Sequence, residues 1–173
     1  NLEQASFVEA QAAKANFDTA RLGSAKFGNA NLSEASFIEA QAQKADFSKS
    51  NLGSAKFSGA NLAEASFVQA QAAKANFDKS TFVNAKFGNA NLSEASFIEA
   101  QGLTNADFSG AEMGSVKLGG VNLAEANLSG ANLSNGDLSG CNLSKAILDR
   151  STLSSTKMSG ANLAEASFVQ AQA

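Results

Sequence analysis

The groups in this sequence that could do chemistry are 16 carboxylates, 13 cationic side chains and one thiol, Cys141. Histidine is absent, which removes the commonest general base and the usual catalytic triad. Cys141 cannot form an intramolecular disulfide, and with no second Cys and no His it has no partner with which to share a metal. Neither GxGxxG nor GxxxxGKS/T occurs, so no phosphate cradle is signalled. Lysines never gather into a stripe of one sign and no exposed aromatic is interleaved with them, which argues against direct nucleic-acid binding. A net charge of −3 is neither a basic footprint nor a strongly acidic one. No residue is therefore assigned a catalytic, cofactor-binding or metal-binding role. The chain is not expected to be an enzyme, and no cofactor, nucleic-acid partner or small-molecule substrate is expected.

What positions the charges is a period of five. From Leu2 to Phe97 an apolar or small residue recurs at every fifth position: Leu2, Phe7, Ala12, Phe17, Leu22, Phe27, Leu32, Phe37 and onward. Two residues before each sits a small one, nearly always alanine, with Ser50 and Ser80 as exceptions. This spacing fits neither a 3.6-residue helix nor a two-residue strand. It needs a backbone that turns a corner every five residues and points two of each five inward. Four such corners close a coil of twenty residues, and stacked coils bury a continuous core. Every charged residue falls at one of the three outward positions, as a division between solvent and core requires.

Stacking also makes residues twenty apart neighbours. Lys14/Glu34, Lys26/Asp46, Lys44/Glu64, Lys74/Glu94, Lys79/Glu99, Lys117/Asp137, Glu125/Lys145, Asp137/Lys157 and Lys145/Glu165 are opposite charges at that spacing, and no like-charged pair occurs there. Each exposed pair contributes only about 0–1 kcal/mol; their role is to set register by avoiding repulsion between stacked strands.

The units ANLSE (30–34), ADFSK (45–49), ANLAE (60–64) and ANLSG (126–130) resemble the A(D/N)LXX motif of the pentapeptide repeat proteins, and the resemblance covers essentially the whole chain. It implies an all-β fold, a right-handed quadrilateral parallel β-helix of about nine coils, with the central Leu or Phe and the preceding Ala facing inward. The best-known members of that family are rod-shaped acidic dimers that mimic DNA, bind type II topoisomerases and confer quinolone resistance.

Residues 1–173 are expected to form a single solenoid with two halves. Residues 1–100 are Phe-centred and carry a thirty-residue super-repeat, with near copies at 1–17, 31–47, 61–77 and 91–101. Thirty residues is one and a half coils, so copies land on opposite sides. This assigns Phe7, Phe27, Phe47, Phe67 and Phe87 to one face and Phe17, Phe37, Phe57, Phe77 and Phe97 to the face opposite. One extra residue within 101–105 slips the register, making Lys86 and Asp107 stacked partners, and is read as a bulge at a corner. Residues 106–173 are mainly Leu-centred, with more varied inward small positions that include Cys141, read as a buried packing thiol.

Two functions follow as expectations. A DNA mimic needs a face dense in carboxylates, whereas residues 1–100 hold ten acids and nine bases in columns of alternating sign. The dimerising C-terminal helix and projecting loops of the quinolone-resistance members are also missing. The favoured reading is a structural or scaffolding solenoid. The chain starts with Asn1 instead of Met and both ends lie within a repeat, NLEQASFVEAQA (1–12) and NLAEASFVQAQA (162–173) being nearly the same segment. The expectation drawn is a piece of a longer array or end-to-end stacking, since solenoids normally carry polar caps. Proteins, other copies of this chain among them, are the expected partners. Val8, Ile38, Val68 and Ile98 face outward every thirty residues and form a candidate lateral contact. No apolar run is long enough to cross a membrane and no signal-peptide pattern appears, so membrane insertion is not expected.

Overall fold

A computed structural model describes residues 1–173. Each unit of five makes one side of a square coil, and its architecture follows from where five backbone N–H groups go. In the first unit the central Leu2 donates to the Arg21 carbonyl (2.7 Å) and Gln4 donates to that of Gly23 (2.8 Å), both on the next coil. Ala5 donates back to Leu2 (3.0 Å), closing a β-turn, and Lys26 of the next coil donates to Ala5 (2.9 Å). The third residue of each four-residue turn has positive φ, for example Gln4 at 60° and Lys14 at 62°, the mark of a type II turn. That conformation is costly for a residue with a Cβ, and the ladder imposes it at every corner.

The coils stack as a parallel β-helix, one column of bridges running Ser6, Lys26, Asp46, Ser66, Lys86, Asp107, Asn127, Ile147, Ser167. Four faces result. Face A is centred on Leu2, Leu22, Ala42, Leu62, Phe82, Leu103, Leu123, Leu143 and Leu163. Face B follows Phe7, face C Ala12 and face D Phe17, each in steps of one coil. Stepping from 86 to 107, 91 to 112 and 96 to 117, the bridges change from a spacing of twenty to twenty-one. The extra residue is absorbed at Gly102, whose φ is +74°.

The core is one cluster from Phe17 to Leu148, with the rings at its centre fully buried. On face B the rings of Phe27, Phe47 and Phe67 stack at 4.9 and 5.0 Å, and on face D those of Phe37, Phe57 and Phe77 at 4.7 and 5.1 Å. The two ladders meet edge to face across the core, Phe37–Phe47 at 5.5 Å and Phe47–Phe57 at 5.4 Å. Burial contributes about 1.5–3 kcal/mol per ring and each aromatic pair about 0.5–1.5 kcal/mol. Phe87 stacks on Phe108 at 4.8 Å, so the slip does not rotate the faces. Below Phe108 leucines take over, and larger residues at the inward small sites, Val116 and Val121, are buried with them.

Candidate functional site

The outer surface is built from three positions per unit, and its chemistry is largely spent on the backbone. The ladder leaves one N–H per unit free, that of the residue after the centre. Asn or Asp just before the centre accepts it: Asn31 from Ser33 (3.3 Å), Asp46 from Ser48 (2.9 Å), Asn76 from Asp78 (2.8 Å) and Asn142 from Ser144 (3.2 Å). These are Asx turns, and they explain why the motif asks for Asn or Asp there. The Ser-Phe-Ile and Ser-Phe-Val units lack that side chain. For three of them an aspartate on the preceding coil takes over: Asp18 accepts from Ile38 N–H (2.9 Å), Asp78 from Ile98 (2.9 Å) and Asp149 from Val169 (2.9 Å). The same carboxylates accept from the hydroxyls of Ser36, Ser96 and Ser167. Reading columns at a spacing of twenty missed this diagonal of eighteen. The available signal was an Asp standing twenty residues before the β-branched residue of such a unit.

Of the nine opposite-charge pairs, three lie within ion-pair distance: Lys14–Glu34 at 3.8 Å, Lys44–Glu64 at 3.8 Å and Lys74–Glu94 at 3.7 Å. A fourth pair, Arg21–Glu3 at 3.2 Å, follows the diagonal of eighteen that a long Arg can span. Lys26 and Asp46 are bridged on adjacent strands, but the Asp46 carboxylate is turned onto the Ser48 N–H. Asp137 is similarly held by Ser139, whose hydroxyl and N–H keep its carboxyl below the ordinary carboxylate range.

Inside, small polar residues are satisfied by carbonyls. Ser50 and Ser151 donate to Phe47 and Leu148 (2.7 Å each), Thr156 to Leu133 (2.9 Å), and the Cys141 thiol to Leu118 (3.0 Å). Desolvation pushes the Cys141 thiol up to about 11, so at neutral pH it is a protonated, buried group and not a nucleophile. No cavity opens in the fold and no cluster of three His, Cys, Asp or Glu is close enough to hold a metal. No helix is long and apolar enough to cross a membrane. On the outside Val8, Val83, Ile98, Ile147 and Val169 are exposed, while Ile38 and Val68 are half-buried. Exposed single apolar residues of this kind are ordinary on a protein surface.

Among solved structures, HetL of the cyanobacterium Nostoc sp. strain PCC 7120, a pentapeptide repeat protein involved in heterocyst differentiation regulation, is 24% identical, with 96% of this chain and 82% of HetL covered and a TM-score of 0.42. A trypsin-treated form of QnrB1, a plasmid-mediated fluoroquinolone resistance protein, is 21% identical over 87% of this chain and 78% of its own, with a TM-score of 0.54. At that identity the likeness is one of fold. No curated protein matches the chain. The family model for pentapeptide repeats matches in eight copies over residues 15–53, 50–89, 75–123, 106–144 and 146–172. The chain belongs to the pentapeptide repeat family.

Proposed function

We propose that residues 1–173 act as one non-enzymatic scaffolding solenoid, a stiff rod that forms part of a longer rod or of an end-to-end stack and engages other proteins through its outer faces. The observation that carries this reading is the equivalence of interior coils. On face A the N–H of Ala42 donates to the Asn61 carbonyl of the next coil (2.8 Å), and the N–H of Leu62 donates in turn to that of Thr81 (2.8 Å). Each coil thus offers its successor the same donors and acceptors that it meets in its predecessor. A further coil of the same kind, from this chain or another, satisfies the same groups and extends the same core. Heterologous contacts of this type do not close, so they grow along the solenoid axis.

Charge placement supports scaffolding over DNA mimicry. The corner columns alternate in sign, Lys14 with Glu34 and Lys44 with Glu64, so no face offers the run of negative charge that would replace a phosphate backbone. The test is sedimentation over a concentration series together with electron microscopy. Rods lengthening with concentration are the expected result, and a monomer at every concentration overturns end-to-end stacking. In a DNA gyrase supercoiling assay no protection from a quinolone is expected; protection at micromolar protein would replace scaffolding with the topoisomerase reading.

A further inference from the structure

The ladder is interrupted at one place, and the interruption is lopsided. Away from the first and last coils, the ladder N–H groups that find no backbone acceptor are those of Asn84, Glu99, Leu103, Asp107 and Asn122. Three of them, Asn84, Leu103 and Asn122, belong to face A, and no bridge joins Gln101 to Asn122. The opposite side of the same junction is intact. On face C, Leu92 donates to Glu112 (2.6 Å), Glu94 to Gly114 (2.8 Å) and Glu112 to Ala90 (2.9 Å).

The cause is Gly102. It is the residue in excess of the five-residue frame, it takes a φ of +74°, and a Cβ there would stand 2.8 Å from the Val83 nitrogen and 2.9 Å from its Cγ2. Only glycine fits the slot over Val83; Gln101 still donates to Ser80 and Phe82 to Gln101 (2.9 Å each), but past the extra residue the rungs of Asn84, Leu103 and Asn122 are lost. Val83 itself is exposed at this opening.

We propose that the junction at 99–105 is a built-in hinge within the continuous solenoid: the coils before and after it open on face A, with the fully bonded face C as the spine. A stack that pairs on one side and lacks rungs on the other has its lowest-energy opening there, and nearest-neighbour solenoids separate at their weakest interface. Phe87 stacked on Phe108 keeps the two parts aligned when closed. The hinge gives a rod of otherwise uniform coils one defined point at which it bends, placed where the Phe-centred half meets the Leu-centred half. It does not depend on whether the rod stacks on other copies.

The hinge has a direct test, because deleting Gly102 leaves Ala100-Gln101-Leu103-Thr104-Asn105, an uninterrupted unit. In amide hydrogen exchange on the intact chain, Asn105 on face A, bonded to Ala124 at 3.0 Å, should exchange at least about tenfold faster than Leu92 and Glu112 on face C. The Gly102 deletion should erase that difference and raise the melting temperature, an unusual outcome for the loss of a residue. Equal protection on faces A and C of the intact chain overturns the hinge, as does a deletion variant that folds but melts lower. If the deletion variant does not fold, exchange on the intact chain decides alone. Gly102→Ala supplies the converse, a lower melting temperature from the Val83 clash; no change would also count against the assignment.

Discussion

Replacing Phe47 with Ala removes one ring from the middle of a ladder. The ring is fully buried, stacked between Phe27 and Phe67 and met edge-on by Phe37 and Phe57. Lost transfer accounts for about 1.5–3 kcal/mol, and the two broken stacks for about 0.5–1.5 kcal/mol each. The total, about 2.5–6 kcal/mol, brackets the cost of roughly 3–5 kcal/mol typical for deleting a buried Phe. In guanidinium chloride, with a slope of about 4 kcal/mol per molar, that is a midpoint lowered by about 1 M. The outward Ser33→Ala, whose hydroxyl makes no bond, is the control and should stay within about 0.5 kcal/mol of the parent chain. Ser48, beside Phe47 in the chain, is a poorer control because its hydroxyl pairs with that of Ser66 at 2.8 Å. Equal midpoint shifts for Phe47→Ala and Ser33→Ala would refute the division of each unit into inward and outward positions.

Three other outcomes are expected. Because burial raises the Cys141 thiol to about 11 against about 8.5 when unfolded, the folded chain holds this proton more tightly; the resulting stability is complete below the unfolded value and is lost as pH rises through about 11. Comparing alkaline denaturation of the parent and Cys141→Ala isolates this decline, and a thiol reagent at pH 8 should label Cys141 only in denaturant. Asp78→Ala strips the acceptor from Ile98 N–H and the Ser96 hydroxyl and should cost about 1 kcal/mol, with faster exchange of the Ile98 amide and partial recovery in Asp78→Asn. Lys44→Glu sets a second carboxylate beside that of Glu64 on the adjacent coil; it should cost no more than about 1 kcal/mol at low ionic strength, and a loss that persists in 1 M salt would contradict an exposed, screened pair.

The coil was legible because inward positions tolerate so little: Phe27, Leu32 and Ala35 repeat a pattern that only a four-cornered stack buries. The outer chemistry was legible by column and illegible by diagonal. Lys14 reaches Glu34 along a column, whereas Arg21 reaches Glu3 and Ser36 reaches Asp18 across one, because strand and turn positions on neighbouring coils lie obliquely. Asp46 shows the other gap. Counted as a charge it belongs with Lys26, but its geometry commits it to the Ser48 N–H, an obligation visible only once the backbone bonds are assigned. The extra residue near Gly102 could be counted from the spacing, while the one-sided loss of rungs required coordinates.

The corners carry a consequence for how such a chain can change. Glu9, Lys49 and Lys79 sit at φ of 60°, 60° and 61°, a region costing an ordinary side chain about 1–2 kcal/mol and glycine nothing in steric terms. The Leu-centred half has already placed Gly110, Gly120, Gly130, Gly140 and Gly160 there, exchanging steric penalty for greater freedom in the unfolded chain. Corner side chains touch neither the core nor the rungs, so apart from ion pairs such as Lys14–Glu34 and Lys44–Glu64 each is an independent increment. Mutation can therefore drift through these positions, moving the melting temperature up or down in small steps while the shape presented to a neighbour stays the same.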